Sequence, residues 1–162
     1  MAKAKVKGRP KAAGTDRIER EIVIRAPREK VWRALTDPAQ FGAWFGVEMK
    51  DAFVPGTTAR GRITHPGYEH VTLEVDVERM EPERLFSWRW HPHAVDASHD
   101  YSKEAKTLVV FELEDVPEGT RLTVTESGFD KIPAARRAQA FKLNGDGWTQ
   151  QMKNVARHLG AQ

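Results

Sequence analysis

Residues 133–159 read PAARRAQAFKLNGDGWTQQMKNVARHL, and the architecture of the chain follows from this segment. Its apolar side chains recur at helical spacing, which predicts one long helix over Pro133–Leu159. Asn144 and Gly145 interrupt the apolar stripe, and a helix that only fills a core would not need them there. We therefore expect the function to depend on what occupies the space beside this helix. The stripe itself consists of Phe141, Trp148, Met152, Val155 and Leu159.

Runs of strand character precede this helix. In the clearest, residues 71–80, Leu73, Val75 and Val77 alternate with acidic residues, as in a strand with one buried face. Further strands are predicted at 17–25, 47–50, 57–64, 84–90, 107–113 and 121–126, and helices at 27–36 and 38–43. Short turns between consecutive strands favour an antiparallel sheet. The predicted fold class is α+β, with a curved antiparallel sheet wrapped around a long C-terminal helix.

Composition sets limits on the class of protein. A chain of 162 residues that is 40% hydrophobic and 30% charged is long enough for a core and ordinary for a globular protein. It has no apolar run long enough to cross a bilayer, so we expect no membrane insertion. The basic N-terminus lacks the apolar stretch of a secretory signal. The absence of cysteine excludes disulfides and thiolate metal sites and fits a reducing cytoplasm.

The basic charge belongs to the N-terminus. Residues 1–16 carry five Lys or Arg residues against Asp16, a net charge of +4, whereas the whole chain carries +3. Residues 17–162 therefore sum to −1, and a domain that grips phosphates usually clusters positive charge on its folded surface. We expect no specific nucleic-acid partner, a disordered basic tail over 1–16, and a single domain over 17–162.

Four segments carry a resemblance to a known family: residues 18–45, 73–90, 107–129, and Gly147-Trp148. Together they resemble the SRPBCC superfamily, also called START-like or helix-grip folds. Within it they resemble the family named after the activator of the 90-kDa heat-shock protein ATPase. The resemblance covers residues 18–159 and implies a cavity between sheet and helix. It implies no single activity, because members include small-molecule carriers, aromatic cyclases, stress-linked proteins and chaperone regulators. Since only a short tail precedes the fold here, a chaperone partner is the less expected alternative.

Aromatic residues are the first candidates for a site. Phe86, Trp88 and Trp90 share one strand face, and inward-facing rings suit a flat hydrophobic ligand. The alternative is that these rings only fill the core. The ligand-binding candidates are Phe45, Trp88, Trp90, Phe111, Asn144, Trp148 and Met152.

Glu126 and His91 are the candidate acid–base residues. Glu126 shares strand parity with Leu122 and Val124, so its carboxylate is predicted on the inner face, where it needs a partner such as Arg20 or Asn144. Such a carboxylate could serve acid–base chemistry or anchor a polar ligand group. The alternative is a residue at the rim, bonded to the backbone of residues 127–128.

Other chemistry finds little support in the sequence. His91, His93 and His99, with Asp96, have the character of metal ligands, but they lie in a polar loop, and we expect no metal site. The chain has no nucleophile elbow and no dinucleotide or phosphate loop, so we expect no cofactor. We predict binding of a small hydrophobic or aromatic molecule. The alternatives are an enzyme of cyclase, hydratase or isomerase type and a chaperone-regulating module, and a homodimer stays open.

Overall fold

The computed structural model describes residues 16–160, so the tail expected at residues 1–16 lies almost wholly outside the described residues. The strands are β1 (Arg17–Ile24), β2 (Val47–Met49), β3 (Thr58–Ile63), β4 (Thr72–Glu81), β5 (Leu85–Trp90), β6 (Thr107–Val116) and β7 (Gly119–Ser127). The helices are α1 (Arg28–Thr36), α2 (Pro38–Phe45) and α3 (Ala134–His158), with a 3-10 turn at Phe129–Lys131.

The seven strands form one antiparallel sheet in the order β1-β7-β6-β5-β4-β3-β2. The consecutive strands β1 and β2 therefore occupy opposite edges, and α1 and α2 carry the chain from one edge to the other. The sheet with its long final helix confirms the predicted helix-grip α+β fold.

Strand periodicity decides which side chains face the helices. On β4, Val75 and Val77 are buried while Glu74 and Glu78 are exposed, as the alternation predicts. The inner face is also covered by α1 and α2: the ring of Phe41 lies 5.8 Å from that of Trp88 in an edge-to-face arrangement. Burial of these rings is a main source of stability, at about 25 cal/mol for each square ångström removed from water.

Helix α3 approaches the sheet most closely at β1, and the reason lies at Gly145. A Cβ atom there would lie 3.1 Å from Arg20 Nη2 and 3.9 Å from Ile18 Cδ1, so a bare backbone allows the helix to rest on this strand. The other close backbone approach of α3 is to α2 rather than to the central strands. Side chains and cavities therefore fill the space between α3 and the middle of the sheet.

Helix α2 is longer than predicted. The sequence predicts an end near Ala43, whereas the helix runs to Phe45. Gly46, at φ 91°, ends it with its N–H donating to the carbonyl of Gly42. The two extra helical residues are Trp44 and Phe45, and Trp44 Nε1 donates to the carbonyl of Ala34 at 2.7 Å.

Candidate functional site

Glu126 lies at the centre of the space between sheet and helix. It follows Leu122 and Val124 on the inner face of β7, and it is 0% exposed. Among residues 16–160 it forms no ion pair. A buried carboxylate without a cation is costly unless hydrogen-bond donors surround it.

Four neutral side chains donate to this carboxylate. Trp148 Nε1 donates to Oε1 at 2.8 Å, and Trp90 Nε1 donates to Oε2 at 2.8 Å. Thr107 Oγ1 donates to Oε2 at 2.6 Å. Asn144 Nδ2 lies 3.0 Å from Oε1 and 3.2 Å from Oε2. Because an ionised carboxylate only accepts and an indole N–H only donates, donors and acceptor match.

Sheet register and helix period bring these partners together. Trp90 pairs with Thr107 across β5 and β6, and Val109 pairs with Glu126 across β6 and β7. Thr107, two residues before Val109, therefore faces the same side as Glu126. Asn144 and Trp148 stand one helical turn apart on α3 and point to the same face. We call Trp90, Thr107, Glu126, Asn144 and Trp148 the Glu126 cluster.

Two cavities lie beside the cluster. The first has a volume of about 260 Å³ and is bounded at one end by Phe45, Trp90 and Asn144. The second, of about 150 Å³, shares these three residues and lies along α3. The rest of the first lining comes from β3, β4 and two loops: Ile63, Tyr68, Val71, Thr72, Leu73, Glu74, His91, His93, Ala94 and Val95. The second is completed by Leu143, Gly147, Trp148 and Gln151.

The structure separates the expected ligand-binding residues into two groups. Phe45, Trp90, Asn144 and Trp148 each line at least one of these cavities. The other three line neither of the two cavities: Trp88 and Phe111 are 0% exposed and Met152 is 3% exposed. The physical reason is that α1 and α2 fill the inner face of the sheet at this point, so the two cavities lie toward β3, β4 and the loop after β5 and along α3.

The structure distinguishes the alternatives that the sequence left open for Glu126. Its expected partner Asn144 is present, but Arg20 instead donates from Nε to Thr149 Oγ1 at 2.9 Å. It is not a rim residue, because side chains rather than the backbone of residues 127–128 hold it. Trp90, Asn144 and Trp148 line the cavities and separate the carboxylate from them, so Glu126 does not present itself to a cavity as the expected acid or base.

The loop over residues 91–106 covers one side of the first cavity and lacks regular structure, as predicted. His91 and His93 both line the cavity, and His91 Nδ1 is buried without a hydrogen-bond partner among residues 16–160. Burial lowers the pKa of His91 and Lys106 lowers it further, while a backbone hydrogen bond at Ala105 and the charge of Glu104 oppose the shift. Burial, with a contribution from Arg136, also lowers the pKa of His93.

This loop is fastened to α3 by Arg136. Its Nε donates to Glu104 Oε1 at 2.8 Å, its Nη1 donates to the carbonyl of Pro92 at 2.8 Å, and its guanidinium lies 4.7 Å above the ring of Tyr101. His99 Nε2 lies 2.7 Å from the other oxygen of Glu104. His99 is thus bound to Glu104, whereas His91 and His93 line the cavity, and among residues 16–160 no three His, Asp or Glu side chains are grouped to hold a metal ion.

Some residues of the site were absent from the sequence-based candidates. Thr107 had a detectable signal, since it shares strand parity with Val109 and Phe111. Val95 had none, because the path of a loop across a cavity is not encoded in local periodicity.

Comparison with known proteins identifies the family. Residues 25–160 match the family described as "Activator of Hsp90 ATPase homolog 1-like protein". The chain belongs to this family. A search of curated proteins gives no match, and within residues 16–160 no helix is both long enough and apolar enough to span a bilayer.

Solved structures share the fold. A protein from Mesorhizobium loti is 27% identical, with a TM-score of 0.70 over 89% of this chain and 96% of its own. A protein from Rhodobacter sphaeroides is 26% identical, with a TM-score of 0.64 over 90% and 93%. The Aha1 protein from Colwellia psychrerythraea, solved as a dimer, is 21% identical, with a TM-score of 0.64 over 86% and 92%. Family membership supports a ligand-binding fold.

Proposed function

We propose that this protein binds a small aromatic molecule in the first cavity. The observation that carries the proposal is a space of about 260 Å³ between the sheet and α3, bounded by the rings of Phe45 and Trp90 and by the amide of Asn144. Aromatic walls with a few fixed polar groups are typical of small-molecule sites.

The volume limits the size of the ligand. An apolar cavity of roughly 150 Å³ accepts benzene, so about 260 Å³ suits a molecule of one or two fused rings. Burying roughly 150–250 Å² of aromatic surface at about 25 cal/mol per Å² contributes roughly 4–6 kcal/mol. This gross contribution corresponds to a Kd of roughly 0.05–1 mM, and the cost of association weakens the expected Kd of a simple two-ring probe to the millimolar range or above.

The experiment is a calorimetric titration of the protein with 2-naphthol. Ala94 lines the first cavity, so Ala94→Trp should fill it and weaken binding at least tenfold. Ala97 lies in the same loop but is exposed and lines neither cavity, so Ala97→Trp is the matched control and should leave the Kd unchanged. Absence of binding to the wild-type protein, or equal binding by both variants, would contradict the proposal.

One observation favours a second function, acid–base catalysis of cyclase, hydratase or isomerase type in the same cavity. His91 lines the cavity, and its unpartnered Nδ1 and lowered pKa give a neutral imidazole near pH 7, which is the form a general base requires. Native mass spectrometry of protein from its own host would supply a co-purifying substrate. His91→Gln should then abolish turnover while retaining 2-naphthol binding, and unchanged turnover would exclude this role.

Interactions with other proteins are the remaining candidates. The dimeric Colwellia protein supports a homodimer, for which sedimentation should give twice the chain mass of 18.3 kDa; a value of 18.3 kDa would contradict it. The family description supports regulation of the 90-kDa chaperone. That role predicts a higher chaperone ATPase rate at saturating protein, and no stimulation would leave it without support.

A further inference from the structure

The amide of Asn144 has one orientation fixed by its surroundings. Its Nδ2 faces both oxygens of Glu126, at 3.0 and 3.2 Å. The reverse orientation would place Oδ1 against a group that accepts hydrogen bonds and donates none in its ionised form. Glu126 therefore determines which end of this amide is turned away from the cluster.

The end turned away is a free acceptor. Asn144 Oδ1 receives no hydrogen bond from residues 16–160, and it is not among their buried atoms without partners, so it is accessible. Asn144 lines both cavities. The neighbouring indole N–H groups of Trp90 and Trp148 are engaged by Glu126. A ligand at this end of the first cavity therefore meets the rings of Phe45 and Trp90 and the carbonyl oxygen of Asn144.

We propose that the ligand carries a neutral hydroxyl donor on an aromatic ring and donates it to Asn144 Oδ1, with Glu126 as the positioning residue that presents this oxygen. This inference rests on the proposed binding function and names the chemical class of the ligand. An anionic group is disfavoured at this position, since it would meet an acceptor oxygen with the Glu126 carboxylate directly behind it. An aromatic ether fits the same space but has no proton to donate.

The test compares three probes on the wild-type protein: 2-naphthol, 2-methoxynaphthalene and naphthalene. A neutral hydrogen bond contributes a roughly threefold to tenfold difference in affinity. We therefore expect 2-naphthol to bind roughly threefold to tenfold more tightly than the other two, which should bind alike. Binding of all three with equal affinity would overturn this inference and leave the binding function standing. Binding of none would overturn the binding function itself. This comparison needs no variant and does not depend on whether a variant folds.

Three variants locate the donor's partner. Asn144→Leu removes Oδ1, so the ratio between the 2-naphthol and 2-methoxynaphthalene affinities should fall to about one. Gln150→Leu, on an exposed position of the same helix that lines neither cavity, should keep the wild-type ratio. Glu126→Leu removes both oxygens that orient the amide, so in folded protein the ratio should fall even where binding persists, a change that a purely structural role would not produce. A wild-type ratio in folded Asn144→Leu would show that the hydroxyl bonds elsewhere.

Discussion

Replacement of Glu126 by glutamine tests whether the four donors need a carboxylate. The change removes one formal charge while keeping the shape, but it places an NH₂ group among donors. In one orientation, the glutamine oxygen accepts from Trp148 and Asn144, and the glutamine NH₂ donates to Thr107, whose hydroxyl rotates to accept. The Trp90 N–H then faces this NH₂ group, which is another donor. The reverse orientation instead leaves Trp148, only 3% exposed, without an acceptor.

The expected change in the free energy of unfolding follows from these lost and weakened hydrogen bonds. One unsatisfied indole N–H costs about 1–3 kcal/mol, and each remaining bond loses the advantage of a charged acceptor, about 1 kcal/mol. Relief from burying a charge offsets part of this cost. The net expectation for Glu126→Gln is a loss of about 2–4 kcal/mol, which corresponds to a Tm lower by roughly 5–15 °C for a chain of this size.

The assay is urea and thermal unfolding of Glu126→Gln beside Glu112→Gln. Glu112 is exposed on β6, so its neutralisation should change stability by no more than about 0.5 kcal/mol. An unchanged or higher Tm in Glu126→Gln, with Glu112→Gln also neutral, would refute the reasoning that the donors are organised around a charge.

Three further predictions concern the helices, the loop and pH. Gly147→Ala should stabilise the protein by about 0.5–1 kcal/mol, because a Cβ there meets no atom within 4 Å. Gly42→Ala should destabilise the protein, because its Cβ would lie 2.2 Å from the carbonyl oxygen of Val47. Urea unfolding of the two variants measures the sign of each change in stability. Arg136→Lys should speed hydrogen exchange in residues 91–106, because lysine cannot reproduce the paired contacts to Glu104 and Pro92; unchanged exchange would contradict the fastening role. The folded-state pKa values of His91 and His93 lie below the ordinary 6.5, so the unfolded chain binds more protons below about pH 7 and stability falls as the pH drops through 6.5. The Tm of the wild-type protein should therefore fall between about pH 7.5 and 5.5, and it should fall less steeply in a variant with glutamine at both positions. Equal slopes of Tm against pH in the two proteins would contradict this prediction.

Local patterns predicted the architecture because each depends on residues close in sequence. The alternation of Leu73, Val75 and Val77 and the helical stripe of α3 are of this kind, and the order of elements resembled a family with this fold. The parity of Glu126 likewise placed its carboxylate on the inner face. These features follow from strand and helix periods alone.

The convergence on Glu126 could not be predicted in this way. It depends on the register of β5, β6 and β7 together and on the rotation of α3, which are set by packing over the whole sheet. The position of the cavity depends on α2 filling the inner face with Phe41, and on a loop held by Arg136 and Glu104, which are 32 residues apart in sequence. Trp88 and Trp90 lie on the same strand face, yet Trp88 belongs to the core and Trp90 to the cavity wall. Strand parity alone does not predict this difference.

The central claim is that an aromatic guest occupies the space beside Asn144. The most direct measurement is a titration of ¹⁵N-labelled protein with 2-naphthol, followed by the indole N–H signals in two-dimensional NMR spectra. Trp90 and Trp148 line the cavities, whereas Trp44 donates its N–H to the carbonyl of Ala34 within the helical layer. Binding of 2-naphthol should cause saturable shifts of the Trp90 and Trp148 signals and leave the Trp44 signal unmoved. Signals of Trp90 and Trp148 that stay fixed at saturating 2-naphthol would contradict it.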